Sequence, residues 1–538
     1  MDLYTDYDRR LTGLARAPLG NCLQDRLIGL EKEGLRVSPA GTIAATPHPT
    51  VFGSTLMHPY LTTDFSEALL ETITPPLRDK QAVLAFLHGL HVFVYRHLGD
   101  ELLWATSMPC VLEGADHIPL ARYGASNAAR MKTVYRRGLG NRYGRPMQII
   151  AGVHYNFSFS DAFWPLYREL EGQDTALGDF RSEAYMASIR NLQRLGWLIP
   201  YLFGASPAVC KTFVQGRNTA LEAFDRNTYF YPYATSLRMG DIGYQNFKTA
   251  DTGMKANYDS LDAYIRSLTW AVRTPCPDYQ VIGVKVGECY EQLNANVLQI
   301  ENEYYGTVRP RQPPRWMERP ISALRRRGVD YLELRSLDVN AFHPLGVTEE
   351  QLDFLDAFML FCLLAESPRI DTRERRAIDT NLLSVAHRGR DPSLELDRNG
   401  NVVRLRQWAE EVLDAMLPAA ELMDGGSGGP CVDSLRRQQE KVRDPGLTPP
   451  ARMLAEMRAN AESFFGFAQR ISKQYRDRFR SSLLDTEYET LFERLSRESW
   501  ERQRELEETD DMGFDEFLER YFAQDEQIPG SLREPHHK

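Results

Sequence analysis

The sequence predicts an α+β protein, and three observations carry that reading. From about residue 27 to 345, strand-like runs punctuated by Gly, Pro and Asn are interrupted by helical stretches. That span lacks the βαβα rhythm of a doubly wound sheet and any phosphate loop of the form G-x-x-x-x-G-K-[ST]. From about residue 350 the pattern turns mostly helical. At 538 residues the chain has room for two or three ordinary domains or one large body with a helical appendage. The expected division is an α+β body over 1–350 and a mostly helical region over 351–538 packed on it.

The first strand in order is "GLEKEGLRV", 29–37, where period-two alternation turns Glu31 and Glu33 to one face. Two like charges side by side cost free energy, so the pair is either a solvated coincidence or one wall of a cation site. Glu-x-Glu recurs at 169/171, 301/303 and 505/507, so spacing alone does not choose. In "TTDFSEALLETITPP", 62–76, Asp64, Glu67 and Glu71 have helical spacing. The β-branched residues and double proline favour a strand instead, with Glu71 beside Leu69 and Ile73 on a face where a carboxylate needs a partner or a cation. "DKQAVLAFLHGLHVFVYRHLG", 79–99, reads as a helix. The clearest strand is "MQIIAGVHYNFSF", 147–159, whose odd positions form a core face and whose even positions, including Gln148, His154, Asn156 and Ser158, form a polar wall. A lone histidine there is a hydrogen-bonded structural residue unless carboxylates reach it from other strands.

In "YLELRSLD", 331–338, Glu333 and Arg335 share a face with Tyr331, where they either neutralise each other or serve a site. "FLDAFMLFCLLA", 354–365, carries Asp356 and is too short to span a bilayer, so it reads as a buried helix. "GGSGGP", 425–430, is a linker or turn. The stretch from "TPPARML" to "YRDRF" is helical, with Thr448 at the N-cap position and prolines in the first turn. The charged tail after about 485 is expected to form peripheral helices that cover the body.

A net charge of -10, from 64 basic against 74 acidic residues, argues against a general nucleic-acid binder. The local run Arg325–Arg327 is a solvated turn, or a polyanion site if a nucleotide phosphate lies near. The N-terminus lacks the apolar core of a secretory signal, so a cytoplasmic protein with no membrane partner is expected. Seven cysteines, an odd number without C-x-x-C, fit a reducing compartment, most of them as buried small hydrophobes. "VYRRGLGNRYG", "YFYPYATSLRMGDIGYQN" and "IENEYYGTVRP" each read as a turn or strand end. Together they supply cationic and aromatic groups suited to carboxylates, phosphates and a small side-chain pocket. The residues alone thus point to a divalent-metal, anionic-substrate site on a sheet and leave the reaction open.

Nine motifs in order, "GLEKEGLRV", "TTDFSEALLETITP", "SMPC", "YRRGLGNRYG", "GVHYNFS", "PYLFGASPA", "PYATSLRMGDIGY", "NVLQIENEYY" and "YLELRSLDVNAFHPLG", closely resemble the glutamate-cysteine ligase family of proteobacterial type. The likeness runs from about 25 to 365 and continues more weakly through "LTPPARML"; Gly34 stands where the family pattern has a hydroxylated residue. The resemblance implies a glutamine-synthetase-like fold, a curved, mostly antiparallel sheet forming a funnel-shaped site. It implies ATP as co-substrate, two or three magnesium ions with manganese as the alternative, and ligation of L-glutamate to L-cysteine through a γ-glutamyl phosphate.

By the same resemblance Glu31, Glu33, Asp64, Glu71, His154 and Glu333 are metal ligands. Arg335 and Arg136 face the transferred phosphoryl group, Arg238 the glutamate α-carboxylate and Arg309 the nucleotide phosphates. Phe65, Tyr135, Leu139, Gln148, Tyr244 and Tyr305 form the cysteine pocket. A monomer is expected, with glutathione as a candidate feedback inhibitor. Two other readings are a carboxylate-amine ligase with a different acceptor and a catalytically silent binding protein; all six metal-ligand positions are filled by suitable residues, which speaks against the second.

Overall fold

The computed structural model describes residues 5–17, 22–214, 219–243 and 254–525. Seven strands form its main sheet: β1 (Leu27–Val37), β2 (Leu61–Thr63), β3 (Leu69–Ile73), β4 (Leu102–Leu103), β5 (Gly152–Ser158), β6 (Val308–Arg311) and β7 (Tyr331–Asp338). Their order is β6-β7-β5-β1-β3-β2, with β4 also on β1, and every pairing is antiparallel. Residues directly opposite one another in such a ladder point to the same face. The register sets Glu31 against His154, Glu33 against Glu71, and Glu333 against both Asn156 and Arg309. One face of five neighbouring strands is therefore acidic and basic.

The opposite face carries Leu30, Tyr155, Phe157, Leu332 and Leu334, all buried. Behind it runs the Glu349–Leu364 helix, capped by a Thr348/Gln351 capping box and buried at every position from Gln351 to Leu364. Asp356 on this helix accepts hydrogen bonds from Arg26 Nε (2.9 Å), Lys80 Nζ (3.0 Å) and the Tyr155 hydroxyl, which ties helix to sheet without leaving the carboxylate unpaired. The predicted helix at 79–99 spans Lys80–His97, with the Asp79 side chain accepting from Gln81 N. The main hydrophobic core draws on residues from Tyr7 to Phe492, and two smaller clusters lie apart from it.

Several expectations are corrected. The strand foreseen from 147 begins only at Gly152, because Pro146 adopts helical angles (φ -58°, ψ -40°) and opens a 3-10 turn over Met147–Ile149. "VYRRGLGNRYG" is not a turn but the second half of the Asn127–Tyr143 helix, whose N-terminus is capped by Ser126. Arg325–Arg327 closes the Pro320–Arg327 helix, and Arg326 and Arg327 pair with Glu318. Thr448 occupies the N-cap position of Pro449–Ala459, but its hydroxyl bonds the Pro445 carbonyl instead of capping. That helical stretch also breaks at 460–463, where Ala461 has φ 50° and Ser463 caps the next helix, Phe464–Ser481.

The glycine-rich 425–430 segment is a turn between Leu405–Asp424 and Pro430–Arg443, with Gly425 in the left-handed region (φ 72°). The tail forms Thr486–Thr509, which packs aromatic edges on Phe86, and Phe514–Phe522. Five of the seven cysteines are buried and none is disulfide-bonded. Among the described residues no helix is long and apolar enough to cross a membrane.

Candidate active site

Over the polar face of the sheet lies a cavity of about 650 Å³. Its floor includes Glu31, Glu33, Glu71, His154, Arg309, Arg311, Glu333 and Arg335. One wall is the Asn127–Tyr143 helix, through Met131, Lys132, Tyr135, Arg136 and Leu139. The opposite rim is built from 300–320, and Tyr521 of the last helix closes one side. The tail therefore does more than cover the body.

At the centre, Glu31, His154 and Glu333 each bring a donor atom within 4.8 Å of the others. His154 Nδ1 lies 3.0 Å from Glu31 Oε2 and 3.5 Å from Glu333 Oε1, and its Nε2 lies 4.0 Å from Glu33 Oε1. Asn156 Nδ2 donates to Glu31 Oε1 (2.9 Å), and Gly152 N donates to Glu33 Oε2 (2.6 Å). Arg335 Nη1 pairs with Glu333 Oε1, and Arg311 Nε stands 3.4 Å from Glu333 Oε2. Even so, Glu333 Oε2 and Asn156 Oδ1 are buried and accept no hydrogen bond. Buried oxygens that accept no hydrogen bond, one of them facing Arg311 only as an ion pair, fit, beside further carboxylates, a hard cation that takes oxygen ligands. The histidine is the one nitrogen donor in the set.

The carboxylates divide by their surroundings. Burial raises Glu71 well above the ordinary carboxylate range, and the charges of Glu31, Asp64 and Glu33 push it further. Glu33 is raised too, chiefly by burial. Burial acts on Glu31 and Glu333 in the same sense but is outweighed, for Glu31 by the His154 hydrogen bond and for Glu333 by Arg335, Arg311 and Arg309, so both end lowered. Burial, with Arg136 adding to it, brings Lys132 down to about 8.

The remaining residues expected at the site fall at different depths. Asp64 follows β2 and lies 3.5 Å from Arg136 Nη2, while the Arg136 guanidinium sits 4.6 Å from the Tyr123 ring centroid. Gln148 accepts from the Tyr305 hydroxyl (2.8 Å), and both line the cavity with Tyr135 and Leu139. Arg309 Nη2 donates to the carbonyls of Asn302 (2.8 Å) and Tyr304 (2.6 Å), which aims it across the floor. Phe65 is fully buried behind Gly140 and is not among the lining residues.

Arg238 is also set back from this cavity. It is buried, donates to the Arg335 carbonyl (2.8 Å) and lies 3.9 Å from Asp338, under Gly152, where a Cβ would come within 2.2 Å of its Nη2. Its neighbour Met239 lines a second cavity of about 330 Å³ that shares Tyr305 with the first. Tyr244 lies outside the described residues. Several residues of the site were not foreseen, Arg311, Lys132 and Tyr521 among them. For Arg311 the signal was present, since it sits two positions from Arg309 and alternation gives both the same face.

An antiparallel sheet bearing clustered carboxylates and arginines on one face, under a cavity walled by helices, agrees with the glutamine-synthetase-like ligase class that the sequence resemblance implies. Comparison with known proteins narrows the class: the chain belongs to the glutamate-cysteine ligase family, whose profile matches residues 11–385. It is 46% identical over 522 residues to a glutamate-cysteine ligase of Alcanivorax borkumensis, covering 96% of this chain and 99% of that one. It is 48% identical over 518 residues to one from Pseudomonas putida, covering 96% and 98%. A crystal structure of glutamate-cysteine ligase from Francisella tularensis in complex with AMP superposes with a TM-score of 0.87 at 34% identity, over 93% of this chain and 98% of that one.

Proposed function

We propose that the protein joins the γ-carboxylate of L-glutamate to the α-amine of L-cysteine at the expense of ATP, the first step of glutathione synthesis. The observation that carries this reading is the cluster of Glu31, Glu33, Glu71, His154 and Glu333 facing Arg335, Arg309 and Arg311 inside one cavity of a chain from this family. A carboxylate approaching a triphosphate concentrates negative charge, and such a site must supply cations and fixed donors. Glu31, Glu33, Asp64, Glu71, His154 and Glu333 are the residues that would hold two or three magnesium ions, with manganese as the alternative. When bound, the metal would neutralise charge on the phosphate oxygens.

In the first step a γ-carboxylate oxygen of glutamate bonds to the terminal phosphorus of ATP as ADP departs. In the second, the amine attacks the acyl carbon, loses its proton, and phosphate leaves with its bonding pair. Arg335 and Arg136 are assigned to the transferred phosphoryl group and the oxyanion that follows, because planar guanidinium forks match both. Arg309 is assigned to the nucleotide phosphates. Arg238, by resemblance, takes the glutamate α-carboxylate, from its position below the floor. Tyr135, Leu139, Gln148 and Tyr305, with Phe65 behind and Tyr244, form the acceptor pocket. Further parts of the reading are a cytoplasmic monomer with glutathione as a candidate end-product inhibitor.

The assay is phosphate release from ATP and L-glutamate with magnesium against a panel of amines. L-Cysteine is expected to be the best acceptor, with L-2-aminobutyrate behind it by about 10- to 200-fold at most, since one small group in an apolar pocket is worth about 1–3 kcal/mol. Release no faster with cysteine than with alanine or ammonia would sink this assignment.

A further inference from the structure

Another Glu-x-Glu pair, Glu301 and Glu303, lies outside the metal cluster, yet both carboxylates are buried and each is held by its own arginine from a different wall of the cavity. Glu303 Oε1 accepts from Arg142 Nη1 (2.8 Å) and from the Tyr143 hydroxyl (2.9 Å), both on the last turn of the Asn127–Tyr143 helix. Its Oε2 accepts from Gln299 N (2.7 Å). The same arginine continues to Gln292 Oε1 (2.9 Å) and the Asn294 carbonyl (2.6 Å), and Gln299 Nε2 reaches the Tyr135 carbonyl (3.2 Å). Glu301 Oε1 accepts from Arg319 Nε (3.0 Å) and Nη2. Arg319 in turn meets the C-terminal segment, through the Phe522 carbonyl (3.4 Å) and Gln524 Oε1 (3.1 Å).

Between and beside these anchors, Ile300, Asn302 and Tyr305 line the cavity. Tyr305 leans edge-on against Tyr143 (5.8 Å between ring centroids) and places its hydroxyl on Gln148. Burying two ion pairs is a poor way to gain stability, because desolvation offsets most of the attraction. What such pairs supply is fixed geometry, and the geometry fixed here is that of the turn carrying Tyr305.

We propose that Glu303, with Arg142 and Tyr143, is a positioning residue for the amine-acceptor pocket, and that the Glu301–Arg319 pair fixes the other end of the same turn. Neither carboxylate touches substrate; both act by holding Tyr305 against Gln148. The proposal rests on the reading that Tyr135, Leu139, Gln148 and Tyr305 receive the amine.

The test uses the full chain and two variants. Glu303→Gln keeps the size but removes the charge facing Arg142 and sets an amide NH2 against one of the donors that now meet the carboxylate; Tyr143→Phe removes one donor and leaves the ion pair, so it guards against a variant that fails to fold. A misplaced pocket wall is expected to raise KM for the acceptor by about tenfold in Glu303→Gln and about threefold in Tyr143→Phe, with kcat at saturating acceptor kept within about threefold. A partly unfolded sample would lower apparent kcat and leave KM alone. An acceptor KM within about 1.5-fold of the parent's in the folded variants overturns the proposal. The parent is first run on the amine panel: if cysteine is not preferred there, the functional assignment falls, and the variants are then measured with whichever amine the parent prefers.

Discussion

Glu31 and Glu33 point the same way because β1 is extended, and their function follows from what stands opposite each: His154 for one, Glu71 for the other. Losing either charge removes stabilisation where phosphate charge develops, so Glu31→Gln and Glu33→Gln are each expected to cut turnover at least about 100-fold, measured as phosphate release at saturating substrates. Near-normal turnover in both would remove them from the metal site. Much of this was legible: period-two alternation gave the common face of Glu31 and Glu33, of Leu69, Glu71 and Ile73, and of Glu333 and Arg335. What alternation cannot give is which strands are neighbours, and so it left the partner of His154 open until the sheet order was known. Arg311 was within reach of the same alternation, two positions from Arg309, whereas Lys132 sits on a helix whose inward face is set by tertiary packing.

At the scale of elements, the stretch "RRGLGNRYG" misleads because two glycines suggest a turn. They sit in a helix because neighbours leave little room: a Cβ on Gly138 would meet Gln299 Oε1 at 2.1 Å, and one on Gly140 would crowd Arg145 and Phe65. Close approach, not conformational freedom, explains them. The Glu349–Leu364 helix was legible from its apolar run, but the role of Asp356 was not, since its partners Arg26, Lys80 and Tyr155 come from three distant segments. Asp356→Ala would strand Arg26 and Lys80 as buried cations, with Asp353 left near Lys80. The expected loss is about 3–5 kcal/mol of unfolding free energy in urea. A loss under about 1 kcal/mol would mean that both cations find water.

For the whole molecule, the acidic cluster couples stability to pH and to metal. Glu71 and Glu33 have folded pKa values above the ordinary 4.5, so as pH rises the unfolded chain gives up these protons first; the folded state holds more protons, and their contribution to stability falls. Glu31 and Glu333 are lowered, so their contribution is present above their unfolded values and is lost only at lower pH. Buried histidines act oppositely to Glu71: His48 (pushed down to about 3), His58 (to about 4) and His91 stay neutral when folded, and stability gains as pH climbs toward 6.5. None of those histidines lines the cavity. The gain in Tm on adding magnesium is therefore expected to be larger at pH 8 than at pH 6, because at the lower pH protons compete for the same oxygens. An equal gain at both would separate metal binding from Glu33 and Glu71. Finally, the order of strands β6-β7-β5-β1-β3-β2 has a consequence in time. The central strand is made early, yet its neighbour β5 comes more than a hundred residues later and β7 still further on. During synthesis Glu31 must wait for Glu333 to emerge, so the acidic cluster closes only after β7 is made, and a nascent chain halted before β6 would carry Glu31, Glu33, Asp64 and Glu71 without Arg309, Arg311 and Arg335.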